Sequence, residues 1–375
     1  MGRKRKIRVG VAGLGMGLNH ALAAFVSKNA ELAALADLDP DVLARTRNVA
    51  QRKGGSKFVA AMRSVPLYAD YRRMAREAEI DALVIALPTS MHVAASRYAL
   101  KAGLHVLCEK PPSVKATEMA GVARLSRQKG LSYMYVRQQR FMPAKQKVRK
   151  MLASGRLGKV YHAESRWIRS GFIPFRKGWG VNRDHGGGVL LDLGVHVIDD
   201  GWFLMGCPRP VEVFAAMHCS FSHVRDGQKL EMPYDADDGC MGTILFENGA
   251  SMSFATTFAM NTAGPRHRRG NEGNRVDWTE LAVYGDKAGA EIHEDLIIRR
   301  RGRTEDTTLK PIAAKSPGGK DTMTLQMEHF CDCILTGKEV QNSPEQAVML
   351  MQMLDAARRS AETGRSVSIK QLVKG

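Results

Sequence analysis

Apolar and polar positions change rhythm once along this chain. Up to about residue 140, short continuous apolar runs alternate with stretches of helical period. Ile7-Arg8-Val9-Gly10-Val11-Ala12 is such a run and stops at glycines; a helix is predicted near 18–28, and Glu31 to Ala36 reads as a second strand ending at Asp37. A helix near 40–52, a short strand at 66–68, a helix near 70–78, the strand Ala82 to Ala86, a helix near 90–102 and the strand His105 to Cys108 follow. Continuous apolar strands separated by helices are buried on both faces, so this part predicts a doubly wound parallel sheet, an α/β domain.

After Met142-Pro143 the pattern changes. A helix near 144–153 ends at Gly155, Val160 to Ile168 reads as a long strand, and further strands are predicted at 211–218, 240–246, 250–257 and 281–284. Most of the later connections are too short for crossover helices, which predicts a largely antiparallel second sheet. A helix near 343–362 opens with Ser343-Pro344-Glu345, a cap followed by proline at the first helical position. The expected division is therefore a first domain over 1–141 and an α+β domain over 142–375.

Composition narrows the class. With 375 residues, 44% hydrophobic and 25% charged, the chain can bury a core without staples. No apolar run approaches the ~20 residues of a membrane span. The basic start MGRKRKIRVGVAG runs straight into a strand without a secretory apolar region, so the expected compartment is the cytoplasm. Cys108, Cys207, Cys219, Cys240, Cys331 and Cys333 are read as reduced thiols, and Cys331-Asp332-Cys333 lacks the gap of a zinc site, so no metal centre is expected. The net charge of +18 clusters at Arg3 to Lys6, Arg266 to Arg269 and Arg299 to Arg303, without interleaved aromatics. A solvated basic surface that attracts an anionic cofactor is favoured over nucleic-acid binding.

Four places carry chemistry. Gly13-Leu14-Gly15-Met16-Gly17 closes the first strand and opens a helix, where bare backbone can approach a pyrophosphate; a plain tight turn explains it equally well. Asp37 ends the second strand about 20 residues on, where a carboxylate accepts from ribose hydroxyls and repels a 2′-phosphate, which favours NAD over NADP. Cys108-Glu109-Lys110-Pro111 ends a strand on the ligand side of such a sheet, where Lys110 can polarise a substrate oxygen; the Lys110–Pro111 bond is a candidate cis peptide. In HGGGVLLDLGVHVIDD, a helix starting after the glycines puts Asp192 and His196 four apart on one face, a carboxylate that sets the tautomer of a base; a locally bonded helical histidine is the bland alternative.

Together these pieces resemble the Gfo/Idh/MocA oxidoreductases (glucose–fructose oxidoreductase and inositol dehydrogenase). The resemblance covers nearly the whole chain. It rests on the glycine turn followed by His20, Leu87-Pro88-Thr89 with His92, AGLHVLCEKP, GGGVLLDLGVHVIDD, LAVYGDKAG and the final SAETGRSVSI. The glycine turn is one residue shorter than the family's usual form.

The resemblance implies a Rossmann domain, then a largely antiparallel open sheet with helices on one face that often supplies an oligomer interface, hence a homodimer or homotetramer. It implies oxidation of a secondary alcohol on a sugar, inositol or glycoside, with His196 as base, Asp192 orienting it and Lys110 stabilising the oxygen. It assigns Gly13, Gly15, Met16, Gly17, Asp37, Leu87, Pro88, Thr89, His92, Glu109 and Lys110 to the cofactor. Arg137, Arg140, Trp167, Arg169, Lys177, Trp179 and Arg183 are further candidates for the substrate, and Phe172 to Trp179 for a lid. NAD-assisted glycoside cleavage and a non-catalytic NAD-binding regulator are the alternatives.

Overall fold

The structure is a computed structural model that describes residues 5–169, 179–220, 224–225, 228–229, 234–260, 277–293, 296–300, 303–306 and 320–372. The expected lid, Phe172 to Trp179, lies outside the described residues except for Trp179, and so do Lys177 and the polar loop over 261–275. The chain divides into two compact units.

In the first unit, β1 (Ile7–Ala12), β2 (Ala30–Ala36), β3 (Leu67–Tyr68), β4 (Ala82–Ile85), β5 (His105–Cys108) and β6 (Tyr133–Tyr135) form one sheet in the order β3-β2-β1-β4-β5-β6. Every pair is parallel. Apart from Arg8, Glu31 and His105 near their starts, the strands are dominated by apolar residues because both faces are covered: β4 is buried at all four positions. The helices that alternate with them are α1 (Gly17–Val26), α2 (Val42–Ser64), α3 (Tyr71–Glu77), α4 (His92–Lys101) and α5 (Ala116–Lys129). The predicted helix near 40–52 continues to Ser64, past a break at Gly55 (φ 72°). Strand order reverses between β1 and β4, which opens a crevice at the carboxyl ends of those strands.

The second unit begins with α6 (Pro143–Ala153) and β7 (Val160–Arg169). A π-helical turn, Leu190–Gly194, runs into α7 (Val195–Leu204), followed by β8 (Pro210–His218) and a two-residue hairpin of β9 (Val224–Arg225) and β10 (Gln228–Lys229). The remaining strands are β11 (Gly239–Phe246), β12 (Ser251–Thr257), β13 (Asp277–Gly285), β14 (Gly289–Ile292), β15 (Leu296–Arg300), β16 (Arg303–Asp306) and β17 (Val367–Ser368). They join β7 and β8 in a nine-stranded sheet, β16-β15-β14-β13-β7-β12-β11-β8-β17, antiparallel except where β12 runs parallel to β7. Alternation along β12 separates the faces: Met252, Phe254 and Thr256 are buried, while Ser251, Ser253 and Ala255 are partly exposed. α7 packs against β7, β12 and β13. Phe214 and Leu245, on the Ser251–Ser253 face by register, are 52% and 43% exposed.

Three further helices close the chain: α8 (Thr322–Thr336), α9 (Pro344–Thr363) and α10 (Ile369–Leu372). The first of them departs from a simple cut at 141/142, because residues 320–348 group with the first unit. The reason is packing. Met327, Phe330, Cys331 and Cys333 of α8 join Val9, Leu18 and Ala21 in one core, and the Asn29 side-chain amide donates to the Glu328 carbonyl at 3.1 Å and to Asp332 at 2.6 Å. Phe330→Ala is therefore expected to destabilise the first unit by about 3–5 kcal/mol, read as a lower denaturation midpoint for the transition that responds to added NAD.

Candidate active site

The β1–α1 turn is shaped by what it must approach. Gly13 has φ +85°, and a Cβ there would fall 2.4 Å from the Ala86 carbonyl oxygen, so no side chain fits. Its N–H donates to the Ala36 carbonyl at 2.8 Å. At Gly15 an added Cβ would meet nothing within 4 Å. Protein packing therefore does not require that glycine, and the space beside its bare backbone is open to a ligand. Met16 precedes α1 and provides no side-chain cap, so the first N–H groups of α1, from Gly17 on, have no capping side chain.

Asp37 stands at the end of β2. Its carboxylate accepts from the Leu14 N–H at 2.7 Å and the Asp39 N–H at 3.0 Å, which fixes its orientation and ties the glycine turn to β2. A groove of about 440 Å³ lies between them, bounded by Gly13, Gly15, Asp37, Arg72, Leu87 and Pro88. A bare turn, an uncapped helix start and a fixed carboxylate suit a pyrophosphate and a ribose, so these residues fit NAD. Arg72 also lines this groove; it lies over the Tyr71 ring at 5.0 Å and 3.9 Å from Asp70.

The residues behind the groove act as struts. Glu109 is buried and accepts from His20 Nε2 at 2.9 Å, while its other oxygen accepts the Lys110 N–H at 2.9 Å. Burial pushes the Glu109 carboxyl up, but the His20 contacts and the Lys110 charge outweigh it and hold the group below the ordinary carboxylate range. Glu109 thus anchors the backbone of Lys110, which enters a cis bond to Pro111. Thr89 and His92 are buried rather than open to the groove.

His92 faces a carbonyl oxygen with each ring nitrogen: Pro111 at 2.7 Å from Nδ1 and Leu87 at 2.8 Å from Nε2. Carbonyls only accept, so the imidazolium form, with a proton on each nitrogen, is the one that satisfies both contacts. Burial pulls its pKa down, but Cys108 and the two carbonyls push it up to about 9. His92 therefore clips the Leu87-Pro88 loop to the turn after Lys110.

In the second unit, Asp192 lies in the π-helical turn and the buried His196 in the first turn of α7. The glycines lead into a wider turn than the plain helix expected, so Asp192 and His196 sit in different helical forms. The His196 and Trp167 rings meet edge-on at 5.5 Å. The Arg169 guanidinium lies over the same indole at 5.2 Å. Asp277, not singled out from the sequence, accepts from Trp167 Nε1 at 2.7 Å and from Arg169 Nε at 3.1 Å. Trp179 opens a short 3-10 turn, Trp179–Val181.

Arg137 and Arg140, expected at the substrate, are fully buried in the first unit. Arg140 donates to the Tyr135 hydroxyl at 2.7 Å and to the Gln341 carbonyl at 3.2 Å, and Gln326 takes the Arg137 N–H at 2.8 Å. These arginines follow β6 and brace it against the α8–α9 region.

A family profile described as the NAD-binding Rossmann fold of an oxidoreductase family matches residues 7–136, and one for that family's C-terminal alpha/beta domain matches residues 149–369. The chain belongs to the Gfo/Idh/MocA oxidoreductase family. As a Gfo/Idh/MocA protein it is 26% identical over 371 residues to D-glucoside 3-dehydrogenase of Escherichia coli (strain K12), covering 97% of each chain. It is also 26% identical to D-xylose 1-dehydrogenase (NADP(+)) 2 of Haloferax volcanii, covering 95% of this chain and 97% of the relative. In fold it resembles levoglucosan dehydrogenase solved with NADH and levoglucosan, with a TM-score of 0.78 and 23% identity over 97% of this chain and 99% of that one. Among the described residues of this Gfo/Idh/MocA chain, no helix is long and apolar enough to cross a membrane.

The His92 charge generates a prediction with a definite sign. A histidine raised from 6.5 to about 9 adds stability that is complete below its unfolded pKa and is lost as pH rises through the folded one. Melting temperature should therefore fall between pH 6.5 and 9, and this slope should flatten in His92→Gln. An equal slope in both proteins would show that His92 is not the titrating group.

Proposed function

We propose that this protein reversibly oxidises a secondary alcohol on a sugar, inositol or glycoside, with bound NAD supplying the hydride acceptor. The observation that carries the reading is the second unit's cluster of His196, Trp167 and Arg169. A polyhydroxylated ring presents an apolar C–H face and a rim of hydroxyls. An indole wall, a guanidinium donor and an imidazole base match those needs. The names of the glucoside and xylose dehydrogenases among the relatives support the same substrate class.

In this reading the His196 imidazole accepts the hydroxyl proton, Asp192 orients it and accepts from a neighbouring hydroxyl, and Lys110 Nζ–H donates to the oxygen as it becomes a carbonyl. Gly13, Gly15, Met16, Gly17, Leu87 and Pro88 hold the cofactor's phosphates and ring edges, with Asp37 on the ribose. NAD is preferred to NADP because the Asp37 carboxylate repels a 2′-phosphate and the residue after it is Leu38, while Asp70 offsets the charge of Arg72. The half-exposed Phe214 and Leu245 of the open sheet face support a homodimer or homotetramer in which a second copy covers them.

A polyol and glycoside panel followed by NADH absorbance tests the reaction. NADH accumulating one-for-one with oxidised product is expected; altered product without net NADH would instead indicate redox-assisted glycoside cleavage. Lys110→Ala and His196→Ala should each lower turnover by about 10²-fold or more while NAD still binds, and near-normal turnover in both would remove these roles. Asp37→Ala should lower the NAD-to-NADP ratio of kcat/KM; an unchanged ratio would detach Asp37 from the ribose.

A further inference from the structure

The run His185-Gly186-Gly187-Gly188 is not explained by the chemistry above. Gly188 has φ +100°, and a Cβ there would lie 2.2 Å from Asp237 Oδ1. The glycine lets the chain press directly on that carboxylate. Asp237 Oδ2 accepts from the Leu190 N–H at 2.7 Å, and the Asp237 carbonyl accepts from the Val189 N–H at 2.9 Å. Two successive N–H groups at the start of a helical segment, which have no partner within the helix, are thus taken by one residue distant in sequence.

The strap that carries Asp237 is itself anchored. The Tyr234 hydroxyl donates to the Asp237 carbonyl at 2.7 Å. The Asp238 N–H donates to the His218 carbonyl at 2.9 Å, and the Asp238 carbonyl accepts from Thr257 Oγ1 at 3.0 Å and the Phe258 N–H at 2.9 Å. The cap is therefore held by β8 and β12, not by the helix it serves.

We propose that Asp237 is a positioning residue of the reaction above: it caps the Leu190–Gly194 turn from outside and so fixes where Asp192 and His196 point. The inference rests on the roles proposed for those two residues. Asp237 is kept charged at a cost. Burial raises its carboxyl to about 6, against the pull of the Leu190 N–H, its own N–H and the charges of Arg358 and Arg183. Tyr234 and Cys240, which feel the Asp237 charge, are also raised, first by burial. A raised carboxyl pKa means that the ionised form contributes less to fold stability at neutral pH than the protonated form would.

Asp237→Ala and Asp237→Asn in the full-length protein test the proposal, with kcat, KM, NAD affinity and binding stoichiometry measured together. Hydrogen exchange over residues 188–198 is the second readout. The alanine variant should lose about 10–100-fold in kcat at unchanged NAD affinity and stoichiometry, and should lose protection at 189–196. Asn retains an acceptor for the Leu190 N–H, so kcat should stay within about threefold of wild type, and the variant should melt no lower than wild type at pH 8. If the alanine variant does not fold, Asp237→Ser takes its place, since its hydroxyl is too short to reach Leu190. A folded Ala or Ser variant with wild-type kcat and protection, or an Asn variant as impaired as Ala, would overturn the proposal. If wild type turns over no member of the panel, the proposed reaction fails, and the exchange comparison alone decides whether Asp237 holds the turn.

Discussion

The nucleotide side of this protein depends on a backbone approach that a single methyl group would abolish. β1 ends wedged between the ends of β2 and β4, with the Gly13 amide bonded to Ala36 and its α-carbon against the Ala86 carbonyl. That contact lets the chain turn tightly into α1. It leaves the first amides of α1 without a capping side chain. It also brings Leu14 to the Asp37 carboxylate, so the turn and the acidic residue are one assembly.

Both units hold the residues proposed for chemistry by the same device. Such a residue stands at the end of an element, and a charged or polar partner from elsewhere in the chain fixes it. Glu109 and His20 hold the Lys110 backbone, and His92 ties the turn after it to the Leu87 loop. In the second unit the buried Asp237 grips the start of the π-helical turn, while Asp277, exposed at the sheet surface, grips Trp167 and Arg169. Buried charges of this kind cost desolvation, so their value lies in geometry more than in stability.

The sequence was most legible where local pattern is enough. β4 and β5 announce themselves as apolar runs, and the glycine turn followed by an acid at the second strand's end is a spacing signal. The α8 contribution was invisible, because a helix of mixed polarity gives no hint that Phe330 will enter a core begun at Ile7. β14 to β16 were missed for a similar reason: short sheet-edge strands owe their form to pairing more than to propensity. At the site, Lys110, Asp192 and His196 are marked by motif, whereas Asp237 and Asp277 look like ordinary surface acids until the fold sets them against amides and an indole. Arg137 and Arg140 show the other side: charge suggested a ligand, and the fold buries both beside β6, a setting that charge alone does not signal.

The place of α8 has a consequence for synthesis. A ribosome emits this chain from its amino end, and the parallel sheet is complete in sequence once β6 has emerged. At that moment the apolar side of α1 still lacks Met327, Phe330 and Cys331. The nascent nucleotide-binding half must wait, with a greasy surface open to chaperones, until most of the other half has been made.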